Sequence, residues 1–363
     1  MNPHLHGNRC RHAVTAAICL GASLACHAPR PGSNGQPVAT LIADTSSATS
    51  LDDSARTLIV TRLRQQLDSL YVNIDLARTL SGSLEKRLHD HAYDVIATPR
   101  AFADSLSHDL ATIAHDLHLW VRYFPPLGAG MGGPDLDETW LNHGYPSVRI
   151  LDGNVAYVDV RSFTANADAD RASDAAMTLV KDCDAVILDL RNNGGGATPA
   201  MARLAGYFFG DSAHLSDLHW RDTGDTIHVW THAHPAVSLD RQPMYILTSR
   251  RTFSAAENFA YSLQSLRRAT IVGETTRGGA HTAKGLVNLG HGIRALIPAG
   301  EVLDPTTKAN WERVGVKPDI AAADSVALDV AHRIALHQLL RDAPPGARRE
   351  RLQRVLGSFK TTR

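Results

Sequence analysis

The apolar run Ala185–Leu190 stops at Arg191-Asn-Asn-Gly-Gly-Gly196. A strand that reads as apolar along its length has two faces to bury, and helices on both sides of a sheet bury them. The neighbouring segments repeat this texture. A helix is expected over Asp168–Lys181 and another over about Pro199–Phe209. The strand Met244–Thr248 leads into a helix starting near Phe253, and the strand Thr270–Val272 leads into Gly273-Glu-Thr-Thr-Arg-Gly-Gly-Ala-His281. Val148–Leu151 and Val155–Val160 flank Asp152-Gly-Asn154, a strong hairpin signal. More strands are expected in 285–298, and final helices near 323–341 and 346–357. The expectation is an α/β core with both sheet faces covered.

The N-terminal half has a different texture. Leu58, Ile59, Leu63, Leu67 and Leu70 recur at helical spacing after Asp52 and Asp53. Further helices are expected over Ile74–His91 and about Arg100–Asp116, making a small three-helix bundle, and the end of Asp116–Tyr123 reads as a strand. Before the bundle, residues 27–51 are rich in Pro, Gly, Ser, Thr and Asp and read as a tether. Arg9 and Arg11 precede the apolar stretch Ala13–Ala25, which has the length of a signal-peptide core and is too short to span a bilayer. Cleavage is expected after Ala25 or Ala28. In the first case Cys26 becomes an N-terminal cysteine open to lipid attachment. The predicted organisation is a signal peptide over 1–28 (or a lipoprotein signal over 1–25), a linker over 29–51 and the helical bundle over 52–124. A Gly/Pro-rich link over 125–145, an α/β core over 146–325 and C-terminal helices over 326–363 complete it.

Lys plus Arg and Asp plus Glu are balanced at 37 each, so bulk charge gives no hold on nucleic acid or an anionic membrane. The 19 His residues are scattered, with no His-x-x-x-His pair and flanking acid of the kind that holds zinc, and no metal or cofactor is expected. Past residue 26 the only cysteine is Cys183, expected as a buried thiol.

Ser254 stands between a strand and a helix. Such a turn exposes a hydroxyl, and the helix N-terminus offers free N–H groups to a developing oxyanion. Ser254-Ala-Ala-Glu257 also fits a capping box, in which the serine only satisfies backbone donors, unless Thr252 supplies the cap. The glycine loop Arg191–Gly196 follows a strand end, where ligands bind in open α/β sheets, and its glycines allow close backbone approach. A serine nucleophile needs a base. His118 and His281 are the candidates beside strand ends or glycine loops.

Taken together, Val186–Gly196, Tyr245-Ile-Leu-Thr-Ser followed by Ser254-Ala-Ala-Glu257, Ile271–Thr276 and Val314-Gly-Val-Lys-Pro-Asp-Ile320 resemble the tail-specific (carboxy-terminal processing) proteases and their tricorn relatives. The resemblance runs over about 54–325. The helical part and Gly278-Gly-Ala-His281 look closest to the branch holding the repeats of interphotoreceptor retinoid-binding protein. It implies a crotonase-like (ClpP-like) spiral of ββα units and cleavage of peptides near a free C-terminus. The family serine falls on Ser254. The oxyanion donors fall on the N–H of Ala255 and of Gly194 or Gly195. Gly279 stands where one branch has a catalytic lysine, so a Ser–Lys dyad is not expected. The tricorn branch uses a histidine and a glutamate, which fall on His118 and Glu312, although Leu117 replaces the serine that precedes that histidine. Residues 119–185 leave no room for the PDZ-like domain of many tail-specific proteases. The implied partner is a peptide or unfolded protein, met in the periplasm or outside the cell, with contact to a membrane only through a lipid on Cys26. The alternatives are a non-catalytic carrier of an apolar ligand and an esterase using the same serine.

Overall fold

The computed structural model describes residues 50–125, 138–232 and 237–359. The segments expected as signal peptide and tether, Cys26 with them, and most of the Gly/Pro-rich link lie outside these. In chain order the elements begin with α1 (Asp53–Leu70), α2 (Ile74–His89), α3 (Pro99–Ala114) and β1 (Trp120–Tyr123). After a short 3-10 segment come β2 (Ser147–Leu151), β3 (Val155–Asp159), α4 (Ala167–Val180), β4 (Ala185–Asp189) and α5 (Thr198–Gly206). Next are β5 (His214–Trp220), β6 (Thr226–Trp230), β7 (Met244–Thr248), α6 (Ala255–Ser265) and β8 (Thr270–Gly273). The chain continues with β9 (His281–Thr282), β10 (Leu286–Gly290), β11 (Ile293–Leu296), β12 (Gly300–Leu303) and β13 (Ile320–Ala321). It ends with α7 (Ala327–Asp342) and α8 (Ala347–Ser358).

The principal sheet has the order β13-β8-β7-β4-β3-β2. Every pair in it is parallel except β2 with β3, which form the expected hairpin. Alternate residues of its strands face opposite ways. Ala156, Val158, Val186, Leu188, Met244 and Ile246 join a core cluster with residues of α4, α5 and α6. Val155, Tyr157, Ala185, Ile187, Tyr245 and Leu247 join another with α7 and α8. Both faces are therefore covered, and the strands need no polar side. Cys183 is buried and free.

The helices α1, α2 and α3 start at side-chain caps: Asp52 accepts from Ala55 N, Asn73 from Leu76 N and Thr98 from Ala101 N. Their apolar stripes meet in one cluster with Leu119 and Val121, and with Leu289, Ile293, Ala295 and Ile297. Those last four residues come from the segment assigned by sequence to the core over 146–325. The physical unit is thus not the stretch 52–124 alone. It is completed by β10 and β11, which pair with β1 in the order β1-β11-β10.

A third sheet, β6-β5-β12-β9, carries a hairpin that sequence patterning passes over. Its strand β5 is bulged between His214 and Ser216, which breaks the period-two alternation by which strands are read. Among the described residues no helix is long and apolar enough to cross a membrane.

Candidate active site

Because β4, β7 and β8 are parallel neighbours, their C-terminal ends share one edge. The glycine loop leaves β4 there, the Ser254 turn leaves β7, and the 274–280 loop leaves β8. The turn is tied to the glycine loop. Ser249 Oγ donates to Arg191 O at 2.6 Å, Thr252 Oγ1 donates to Leu190 O at 2.7 Å, and Phe253 N donates to Asn193 O at 3.1 Å. Thr252 is committed to this turn, accepting also from Ser249 N at 3.0 Å, and is not the cap of α6.

Ser254 is the N-cap residue, with φ 57° and ψ −122°. A non-glycine residue in such a region costs about 1–3 kcal/mol and persists only where its surroundings impose it. Glu257 does so. The two residues sit as a capping box. The firm half of it is the Glu257 carboxylate, whose Oε2 accepts from Ser254 N at 2.8 Å. Its oxygens also accept from Gly279 N at 2.9 Å, Gly278 N at 2.6 Å and the Thr276 hydroxyl at 2.5 Å. Burial raises the Glu257 pKa, against these hydrogen bonds that lower it. The Ser254 hydroxyl makes no cap hydrogen bond, and the Glu257 N–H bonds to the Ser254 carbonyl at 2.9 Å instead. The local pattern that reads as a cap therefore fixes the backbone of Ser254 and leaves its side chain for another partner.

That partner is His118, whose Nε2 lies 3.1 Å from Ser254 Oγ, across 136 residues of sequence. The imidazole stacks on the Phe253 ring, centroids 4.4 Å apart and planes 20° apart, and the Arg277 guanidinium lies 5.0 Å from the centroid of the same ring. Burial pushes the His118 pKa down to about 4, helped by the charges of His281 and Arg277 and opposed by that of Asp116. The ring is therefore a neutral imidazole at neutral pH. Its Nδ1 is buried with no hydrogen-bond partner among the described residues.

Gly279 packs directly against the His118–Phe253 stack. A Cβ there would sit 2.2 Å from Phe253 Cε2, 2.7 Å from Cζ and 2.9 Å from His118 Cε1. The His118–Phe253 stack fills the space a side chain at this position would need. Gly279→Ala is expected to push the stack aside and lower kcat/KM by about 10- to 100-fold, because a shift near 1 Å at a reacting group has that effect. Peptidase assays read beside thermal melts would test this, and unchanged activity would dismiss the packing argument.

The other expected residues fall into a second group beside the first. His281 Nδ1 lies 2.8 Å from Asp116 Oδ2, and the Tyr71 hydroxyl donates to the same oxygen at 3.1 Å. Asp116 Oδ1 accepts from His118 N at 2.9 Å, so Asp116 joins the two histidines. Burial acts to raise the Asp116 pKa, but the contacts with both histidines win and the net shift is downward. Burial acts to lower that of His281, but Asp116 and Glu312 win and the net shift is upward.

Glu312 does not meet His118. Its Oε2 accepts from Ala280 N at 2.7 Å and His281 N at 3.0 Å, and its Oε1 lies 3.8 Å from His281 Nδ1. The glutamate that the resemblance places in the site supports His281 and the backbone beside it. Burial raises its pKa, with the charge of His281 opposing.

The glycine loop needs one correction. The Gly195 N–H is engaged by Asn193 Oδ1 at 2.8 Å, so it is not a free donor. Gly195, at φ +105°, packs on Ser254; a Cβ there would lie 2.8 Å from Ser254 Cβ and 3.0 Å from Ala255 N. The N–H groups of Gly194 and Ala255 have no acceptor among the described residues. Asp116, Phe253 and Asn193 are site residues that sequence reasoning left without roles. For Asp116 a signal existed, since an aspartate two residues before His118 can accept its N–H as in an Asx turn. A cleft of about 920 Å³, lined by Arg250, Glu274, Arg277 and Lys317 among others, borders the group through Arg277.

Known proteins share this core. Residues 154–322 match Peptidase family S41, a narrower span than the resemblance over 54–325. The carboxyl-terminal-processing protease of Synechocystis sp. is 29% identical over 166 residues, covering 46% of this chain and 37% of that one. The tail-specific protease of Haemophilus influenzae is 30% identical over 130 residues, covering 36% of this chain and 18% of that one. The chain thus spans 37% of the length of the first of these curated relatives and 18% of the second. Among solved structures, a lipoprotein from Streptococcus agalactiae superposes with a TM-score of 0.54 at 17% identity, covering 78% of this chain and 95% of that one. The photosystem II D1 C-terminal processing protease superposes with a TM-score of 0.50 at 18% identity, covering 75% and 94%. These two likenesses concern the fold, whereas the sequence match takes in the glycine loop, Ser254 and Glu312. The likeness to peptidase family S41 thus rests on residues 154–322, which hold the glycine loop, Ser254 and Glu312.

Proposed function

We propose that the chain is a serine-type peptidase that cleaves extended or C-terminal protein tails, with Ser254 as nucleophile and His118 as base. The observation that carries this reading is the 3.1 Å approach of His118 Nε2 to the hydroxyl of a serine in a strained turn. His118, neutral through burial, takes the Ser254 proton as Oγ attacks a peptide carbonyl. The N–H groups of Gly194 and Ala255 receive the oxyanion. His118 then protonates the leaving amine, and water releases the acyl-enzyme. Asp116 positions His118 through its backbone, and Glu312 and Tyr71 hold the Asp116–His281 pair in place. Gly195 gives Ser254 room and the loop its shape.

The finer fold reading belongs to the same proposal: the strand-helix core is a crotonase-like spiral, and the helical segment follows the retinoid-binding branch. Export is also part of it, with Cys26 as the lipid position, supported by Arg9, Arg11 and the apolar stretch Ala13–Ala25.

The test uses unfolded polypeptides with free or amidated C-termini, followed by mass spectrometry. Cleavage is expected in both, and faster in the free-ended chain. Turnover of p-nitrophenyl esters without any peptide cleavage would replace the peptidase reading with an esterase. Saturable binding of a fluorescent fatty acid, with neither hydrolysis nor fluorophosphonate labelling, would replace it with a carrier.

A further inference from the structure

On the hairpin that sequence patterning missed, Asp217 of β5 stands directly opposite His228 of β6. His214 is three residues before Asp217, and in a regular strand the two would face opposite sides. The bulge between His214 and Ser216 removes that difference. His214 Nε2 lies 2.8 Å from Asp217 Oδ1, and His228 Nδ1 lies 2.6 Å from the same oxygen. The three donor atoms lie within 4.8 Å of one another. The rings are held in place, with His214 stacked on Trp230 at 4.4 Å and 12°, and edge-on to His228 at 5.4 Å and 82°.

We propose that His214 Nε2, His228 Nδ1 and Asp217 Oδ1 form a binding site for a divalent transition-metal ion of the zinc class. Two imidazoles and a carboxylate suit such ions, and three protein ligands leave a fourth position for water. Ligand atoms around a tetrahedral ion, each about 2.0–2.1 Å from it, stand about 3.3 Å apart. From their present 2.8 and 2.6 Å, the two histidine nitrogens would each draw back from Asp217 Oδ1 by roughly 0.5–0.7 Å to admit it. Lys308 does not compete for the coordinating oxygen. Its ammonium donates to Asp217 Oδ2 at 2.8 Å, and its side chain is 62% exposed, so its charge stays hydrated. It serves as the outer partner that fixes a monodentate carboxylate. Asp217 is buried, and His228, 59% exposed, gives an ion its way in.

The site joins an edge strand to the strand beneath the helix that carries Ser254. Asn258 Nδ2 of α6 donates to Ser216 Oγ at 3.1 Å, and Ser262 Oγ donates to Leu215 O at 2.8 Å. A bound ion would therefore brace the hairpin on which α6 rests, and the proposal does not depend on the peptidase reading.

The experiment uses untagged full-length protein stripped with a chelator. Co²⁺ is titrated by visible absorption and Zn²⁺ by calorimetry. The expected result is one ion per chain in the micromolar range or tighter, with the intense visible bands of four-coordinate Co²⁺ and a rise in Tm that chelator reverses. His228→Ala, at an exposed position that leaves the core intact, is expected to weaken binding at least about tenfold through loss of one ligand, and His214→Gln to do the same. His281→Ala is the control, because Asp116, His281 and Glu312 also bring donor atoms within 4.8 Å of one another. Absence of saturable binding, binding that survives both hairpin variants, or binding lost in His281→Ala would each overturn the proposal.

Discussion

Ser254→Ala is expected to abolish labelling by a fluorophosphonate and to lower peptide turnover by roughly 10⁴-fold or more, to the background that oxyanion donors and binding supply alone. The fold should survive the change. The turn is held by the Glu257 carboxylate on Ser254 N and by Ser249, Thr252 and Phe253 on the glycine loop, none of which uses the Ser254 hydroxyl. The hydroxyl's contact is with His118 Nε2. The change leaves His118 Nε2 without this partner, so a loss of about 1–3 kcal/mol of unfolding free energy is expected, which the fold tolerates. Labelling retained in the variant would remove Ser254 from the mechanism and leave the strained turn without a catalytic reason.

His118→Gln is expected to lower kcat/KM by roughly a thousandfold, in the middle of the range for loss of a general base. Glutamine keeps most of the volume against Phe253, so the loss reports proton transfer and not collapse of the stack. The pH profile makes the test sharper. An unperturbed histidine base would lose activity below pH 6.5, whereas burial sets His118 at about 4. The acid limb of kcat/KM should accordingly fall near pH 4 to 5. The sign for stability is the same. A histidine depressed below its unfolded value favours the folded state above pH 6.5, and that contribution is lost as pH falls through the folded value. An acid limb above pH 6.5 that moves with His281→Ala while His118→Gln stays active would transfer the role of base to His281.

The arrangement around Gly279 gives the chemistry its structural logic. The His118 ring and Phe253 occupy the space a side chain there would need, and the 274–280 loop donates Gly278 N and Gly279 N to Glu257, which in turn holds Ser254. Gly279 thus supports the Ser254 turn through Glu257 and leaves the space that the His118–Phe253 stack fills.

The sequence by itself determined the elements whose physics is local. Strands buried on two faces, such as Ala185–Asp189 and Met244–Thr248, announce themselves by unbroken apolarity, and Asp52 announces the start of the first helix. The strand-turn-helix setting of Ser254 was legible for the same reason, as was the lack of a lysine at Gly279. Tertiary structure alone decided the partnerships. Which group the Ser254 hydroxyl meets turned on where a ring 136 residues away would dock. That Glu312 serves His281, that Asn193 takes the Gly195 N–H, and that a bulge brings His214 to Asp217 all depend on where loops meet. Periodicity records which face of an element is buried, because burial acts over a whole element. Pairing of polar atoms is settled within a few tenths of an ångström by how separate elements pack, and that information is spread over the entire chain.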